Sequence, residues 1–337
     1  MPLDTIYLTR HGHRMHWTID YATGTYHSTY PTPTGNPADP TLTAHGVRQS
    51  HELAAHLSSE KFPGPKPCKV YSSPFYRCLQ TILPSVEALD GDSSLSSGRE
   101  KGVRIENGLG EWFGSSTYFD HPSPASISEL HRHFPTLIAN PSSDYTYKTH
   151  VIPSARGETI PQLHNRVATA LAAIIADVDA EIRAEEEEAD KENSSSSNSS
   201  KAILICAHAA PLIAMGRALT GNMPDDANID DFHVYTAGLS TFVRRRGVGS
   251  TSDDSTERRT LSSSVLAAGT KLIPESEVHV PDWKDGRGVG GGWDCVRNCD
   301  CSFLSGGEER GWHFSGEESF DTGPMGSVNT SEEGAKL

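Results

Sequence analysis

Ala202-Ile203-Leu204-Ile205-Cys206-Ala207-His208 decides how this chain folds. The six residues before the histidine are apolar without interruption, and a strand with no polar face belongs at the centre of a parallel sheet covered on both sides. A helix over Pro211 to Leu219, ended by Gly221, follows it. The same strand-then-helix pattern recurs upstream. Thr5 to Thr9 is a β-type run that ends in Arg10-His11-Gly12, and Thr43 caps a helix to Leu57 with Val47, Leu53, Ala54 and Leu57 on its apolar side. Cys68 to Ser73 is a second strand, after which Pro74 starts a helix that Leu79, Ile82, Leu83 and Val86 can bury. A third strand is expected at Val103 to Glu106. This order predicts a three-layer α/β/α fold with a mostly parallel central sheet.

Other segments fill in the organisation. Residues 112–153 are irregular apart from a short helix at Ile127 to Ile138, and read as an insertion over a site. In the clearest helix of the chain, Leu163, Val167, Leu171, Ile174, Ile175, Val178 and Ile182 recur at helical spacing behind a capping box of Thr159 and Gln162. It runs into an acidic, serine-rich tract over 185–200, expected to be a solvated linker. A further strand is expected from Phe232 to Val243, and the composition changes after Arg246. Residues 1–246 thus read as one catalytic domain and 247–337 as a low-complexity, peripheral tail.

The balance of 29 Lys and Arg against 44 Asp and Glu gives a formal charge of −15, which repels a phosphate backbone and argues against direct nucleic-acid binding. No apolar run has membrane-spanning length, so no membrane partner is expected. The first nine residues already read as a strand rather than a leader, and the expected location is nucleus or cytoplasm. Six cysteines are scattered without a dense framework and are expected to be reduced. Cys295, Cys299 and Cys301 with His313 have a spacing that fits no common zinc finger.

In an open parallel sheet, ligands bind at the carboxyl ends of the strands. His11 stands at that end of the first strand, Arg77 in the first turn after the second, and His208 at the end of the apolar strand. Singly they are a turn histidine, an exposed helix arginine and a capped core histidine. Together they deliver two imidazoles and a guanidinium to one crevice.

The series Arg10-His11-Gly12, Ser72-Ser73-Pro74 with Arg77-Cys78 and Gln80-Thr81, Gly108-Leu109-Gly110-Glu111-Trp112, Arg156-Gly157-Glu158-Thr159 with Arg166, and Ile205-Cys206-Ala207-His208-Ala209 resembles the histidine-phosphatase superfamily, in its phosphoglycerate-mutase-like branch. The resemblance covers roughly residues 4 to 245. Details such as YRCLQT, GEWF with HPSPAS, GRALTG, CDCSFL and GEERGWHF look like a fungal group that includes a subunit of the RNA polymerase III general transcription factor complex. It implies a phosphomonoester hydrolase with His11 as nucleophile, Arg10, Arg14, Arg77 and His208 holding the phosphoryl group, and Glu111 as proton donor and acceptor. Glu106 is the reserve for that last role, and Glu158 matches a family position near the site. No metal or other cofactor is required. Nearby Arg10, Arg14 and Arg77 are expected to lower the His11 pKa by like-charge repulsion and keep its imidazole neutral. Arg14 matches an arginine of tyrosine-phosphatase-like members, which points to phosphotyrosine or a phosphoprotein, whereas Trp17 departs from the asparagine of the sugar-phosphate mutases. The rival expectation is an auxiliary interaction subunit of a nuclear transcription complex, with protein partners and a vestigial pocket.

Overall fold

The computed structural model describes residues 2–91, 102–191, 201–246, 260–261 and 265–314. In chain order the first half holds β1 (Thr5–Arg10), a hairpin of β2 (Trp17–Asp20) and β3 (Thr25–Ser28), α1 (Ala44–Ser58), β4 (Pro67–Ser72), α2 (Tyr76–Asp90), β5 (Arg104–Ile105) and α3 (Ile127–His133). There follow β6 (Val151–Ile152), α4 (Ile160–Lys191), β7 (Ala202–Ala207), α5 (Ala209–Thr220), β8 (Leu239–Arg244), β9 (Thr260–Leu261), β10 (Lys271–Leu272), β11 (Val280–Pro281) and β12 (Trp293–Asp300).

The main sheet has six strands in the order β12-β8-β1-β7-β4-β5. Strands β1, β7, β4 and β5 run parallel, and β8 and β12 add an antiparallel edge. Every residue of β7 is buried. Because successive side chains alternate faces, Ile203, Ile205 and Ala207 join the core under α4 and α5, and Leu204 and Cys206 join the core under α1 and α2. That is why the strand shows no polar period. The Thr43 hydroxyl caps α1 by accepting from Gly46 N at 3.1 Å, and Gly221 ends α5 with φ 78°.

The register fixes where the site lies. Arg10 pairs with Ala207 and Ser72 with Cys206, so β1, β4 and β7 all end at one edge of the sheet. Gly12 is required there, since a Cβ on it would stand 2.8 Å from the Gly46 carbonyl oxygen.

Three expectations need correction. The acidic tract is not linker throughout: α4 continues to Lys191, as its Ala and Glu content favours, and 192–200 lie outside the described residues. The strand expected from Phe232 begins only at Leu239, because Ala237 takes φ 57° and donates its N–H to the Arg10 carbonyl. The described part of the C-terminal segment is irregular over most of its length yet not peripheral. Strand β12 pairs with β8, and Trp283, Trp293 and Phe314 are buried in the core. Each indole N–H is satisfied, Trp283 by Asn165 Oδ1 at 3.2 Å and Trp293 by the Val289 carbonyl at 3.0 Å. All six cysteines are free, and among the described residues no metal-type cluster contains one. No described helix is long and apolar enough to cross a membrane.

Candidate active site

His11 follows β1 and is 2% exposed. Its N–H bonds to the Ala207 carbonyl, and its ring Nδ1 lies 2.9 Å from the Gly12 carbonyl oxygen. A carbonyl can only accept, so Nδ1 carries the hydrogen and Nε2 keeps its lone pair. Burial lowers the His11 pKa well below the ordinary imidazole value, and Arg77, Arg10, His208 and Arg14 lower it further. The sequence pointed to the cations; desolvation is the larger cause.

Arg77 lies in the first turn of α2 and its side chain is fully buried. Nη1 donates to the Ala38 carbonyl at 2.9 Å and to Asp39 Oδ1 at 3.1 Å. Nη2 donates to Glu111 Oε2 at 2.9 Å and lies 3.1 Å from His208 Nδ1. Asp39, itself fully buried, also accepts from Tyr76 N at 2.7 Å and so ties Arg77 to the helix start. Sequence reasoning missed it, because it lies in a loop of Pro, Thr and Gly with no periodicity. The only available signal was an acidic residue in a segment otherwise free of charge.

His208 caps the end of β7 and is fully buried. Its Nε2 lies 2.7 Å from Ser73 Oγ, and its ring centroid is 5.3 Å from that of His11. Nδ1 stands between Arg77 Nη2 and Glu111 Oε2, the latter at 3.3 Å. A guanidinium only donates and a carboxylate only accepts, so Nδ1 serves one of them at a time. Burial opposes the imidazolium, but Cys78 and Glu111 outweigh it and the His208 pKa is raised. A protonated Nδ1 pairs with Glu111, and an unprotonated one accepts from Arg77.

Glu111 accepts Trp112 N at 3.0 Å on Oε1 and Arg77 on Oε2. Burial alone would raise its pKa, yet His208, Arg77 and His11 hold it well below the ordinary carboxyl value. With these partners it is a carboxylate.

Two further arginines frame the hollow. Arg10 Nη1 donates to the carbonyls of Val234, at 2.8 Å, and Arg310. Arg14 donates to the Met15 carbonyl at 2.9 Å and stacks over Trp17. Burial, followed by the neighbouring Arg77 cation, lowers the Arg14 pKa to about 9, so it stays charged at neutral pH. Among the described residues the Nε atoms of Arg10 and Arg77 are buried without a hydrogen-bond partner. Orphaned cationic donors beside two imidazoles form a receptor for an anion with several oxygens.

The remaining candidates lie elsewhere. Glu106 is fully buried and accepts from Tyr147, Thr149, His150, Gly108 and Val151, which makes it the anchor of the insertion rather than a proton donor. Glu158 bonds through both oxygens to Arg166 Nε at 2.9 Å, and Arg166 Nη1 holds the carbonyls of Gly108 and Gly110. That pair braces the loop carrying Glu111. Ring nitrogens of His11 and His208 and a Glu111 oxygen lie within 4.8 Å of one another, a spacing a divalent ion could use. Arg77 already bonds to the latter two, so an ion would have to compete with a buried cation.

The model of the histidine phosphatase superfamily (branch 1) matches residues 6–252. The chain belongs to this superfamily. It is 28% identical over 319 residues to the transcription factor tau 55 kDa subunit of Saccharomyces cerevisiae. That match takes in 93% of this chain but 59% of the yeast protein, so the chain spans less than two thirds of its length. Among solved members, the ecdysone phosphate phosphatase of Bombyx mori, determined with tungstate, is 20% identical, with a TM-score of 0.48 over 72% of this chain and 89% of that one. A mycobacterial glucosyl-3-phosphoglycerate phosphatase is 16% identical, with a TM-score of 0.39 over 72% of this chain and 91% of its own.

Proposed function

We propose that this superfamily member hydrolyses phosphomonoesters through a phosphohistidine on His11. The observation that carries the reading is the buried His11 with a free Nε2 lone pair among Arg10, Arg77 and His208, two of whose guanidinium groups hold unpartnered donors. Nε2 attacks phosphorus in line, the P–O bond to the alcohol breaks, and Glu111 supplies the alcohol with a proton. Water then attacks the phosphohistidine, Glu111 takes the proton, and inorganic phosphate leaves. Arg10, Arg14, Arg77 and His208 offset charge on the equatorial oxygens.

Glu111 starts as a carboxylate and must gain a proton before the first step. A bound phosphate dianion supplies the reason: it competes for Arg77 and His208, withdraws the cations that depress the Glu111 pKa, and adds a negative charge beside it. Arg14 supports phosphotyrosine or a phosphoprotein among the substrates. Hydrolysis of p-nitrophenyl phosphate by the natural protein and its loss in His11→Ala test the reading, which equal rates would overturn.

The yeast relative favours a second reading, as an interaction subunit of a nuclear RNA polymerase III transcription factor complex. Affinity purification separates the two. Partners of that complex recovered equally with His11→Ala support the subunit role, and a solitary active protein removes it.

A further inference from the structure

A cavity of about 400 Å³ opens beside the phosphate hollow, with Glu111 as a shared wall. Its position follows from the chemistry proposed above, on which this inference rests. The proton from Glu111 goes to the leaving oxygen, so the rest of the alcohol must lie on the Glu111 side of phosphorus. The insertion 112–153 builds much of the wall there, as do Phe75 and the segment after Val151.

The lining defines what can enter. Phe75, Phe113, Pro122, Pro124, Ile127 and Ile152 supply apolar surface, and among the described residues no Lys or Arg contributes. Its polar groups are largely engaged within the protein. His121 is bonded at both ring nitrogens, to Tyr26 at 2.7 Å and the Gly114 carbonyl at 2.8 Å. The Tyr145 hydroxyl accepts from Ile105 N, while the hydroxyls of Tyr147 and Thr149 donate to Glu106. Ser154 donates to the Ala268 carbonyl, and Ser126 caps α3. A second phosphate or a carboxylate on the substrate would meet no cation, whereas apolar surface would be removed from water. The volume is that of a pocket for a drug-sized molecule, and one phenol ring would leave most of it empty.

We infer that the preferred substrate is the phosphate monoester of a bulky, uncharged, largely apolar alcohol of small-molecule size, seated in this cavity, in place of the phosphotyrosine or phosphoprotein that Arg14 taken alone would favour. Sugar-acid phosphates and bisphosphates are poor fits.

The test compares kcat/KM of the full chain for phenyl phosphate, 4-biphenylyl phosphate, 3-phosphoglycerate and a phosphotyrosyl peptide. Burying a second ring should favour the biphenylyl ester over phenyl phosphate by about ten- to a hundredfold. Ala155→Trp, at an exposed position on the cavity wall, should bring kcat/KM for the biphenylyl ester down to that for phenyl phosphate or below it. Equal values for the two aryl esters, or a preference for the peptide or for 3-phosphoglycerate, overturn the inference while the hydrolase reading stands. If no ester turns over, the hydrolase reading falls and calorimetry decides the cavity separately. Tighter binding of biphenylylmethylphosphonate than of methylphosphonate supports it, and equal or absent binding overturns it.

Discussion

Replacing Arg77 by methionine should separate the two tasks this side chain performs. Both Arg77 and Asp39 are fully buried, and the guanidinium is the cation paired with Asp39, at 3.1 Å. Breaking a buried pair from one side leaves the other charge uncompensated and costs about 3–5 kcal/mol. At about 2–4 °C per kcal/mol for a domain of this size, Tm should fall by roughly 6–20 °C. Burial already raises the Asp39 pKa against the pull of Arg77, so without that cation the carboxyl is driven toward its neutral form. Arg77→Met combined with Asp39→Asn removes the stranded charge and should recover most of the lost stability. Turnover of p-nitrophenyl phosphate should stay about 10²–10³-fold down in both variants, because the donor to the phosphoryl oxygens is gone. Urea titration and steady-state kinetics on the natural protein, the single variant and the double variant read the two effects separately. The reasoning is refuted if the single variant keeps turnover within a few-fold of the natural protein, or if the double variant is no more stable than the single one.

Further outcomes follow from the same geometry. The His11 pKa is depressed, so the unfolded chain takes up this proton near pH 6.5 and the folded chain only at lower pH; the acid limb of kcat/KM should lie below about 6.5. The His11 contribution to stability should likewise be present above that value and fall as the pH drops below it, and an acid limb above pH 7 would contradict the burial argument. Glu111→Gln should lower kcat/KM for an alkyl phosphate about 10²–10⁴-fold and that for p-nitrophenyl phosphate far less, since kcat/KM reports the first displacement and p-nitrophenolate needs little protonation; equal losses in kcat/KM would remove Glu111 as acid. Vanadate binding near pH 7 should take up protons in the natural protein and fewer in Glu111→Gln, measured by calorimetry in buffers of different ionisation heat. Trp293→Ala should lose about 3–5 kcal/mol in urea titration, and a loss under 1 kcal/mol would mean that β12 and its indole contribute little to the core.

Where local pattern and tertiary demand coincide, the sequence was legible. Ala202–Ala207 had to be a doubly covered strand because both of its faces are apolar, and Thr43 and Gly221 marked helix ends by their own chemistry. Arg10, His11, Arg77 and His208 were readable for the same reason: parallel strands bring their carboxyl ends to one edge whatever the loops do. Asp39 was not readable, since its role depends on a loop folding back across α2, and nothing periodic records that. The C-terminal segment misled because its Gly288, Gly290, Gly291 and Gly292 all take positive φ, and that mimics low complexity. Those turns carry the chain to Trp293, whose buried ring holds the last strand onto β8.

Glu111 gives Arg77 a second carboxylate beside Asp39 and gives His208 an anionic neighbour, which keeps buried polar groups paired. Had Glu111 been placed out of reach of both groups, it would hold a proton more readily but leave Arg77 Nη2 without its carboxylate acceptor. Contact with both groups ties its protonation to occupancy. On the proposed reading, a phosphate that takes over those partners raises the Glu111 pKa and lets the carboxyl carry a proton. A proton-donating Glu111 is, on that reading, a property of the complex, whereas the carboxyl held by Arg77 and His208 is a carboxylate.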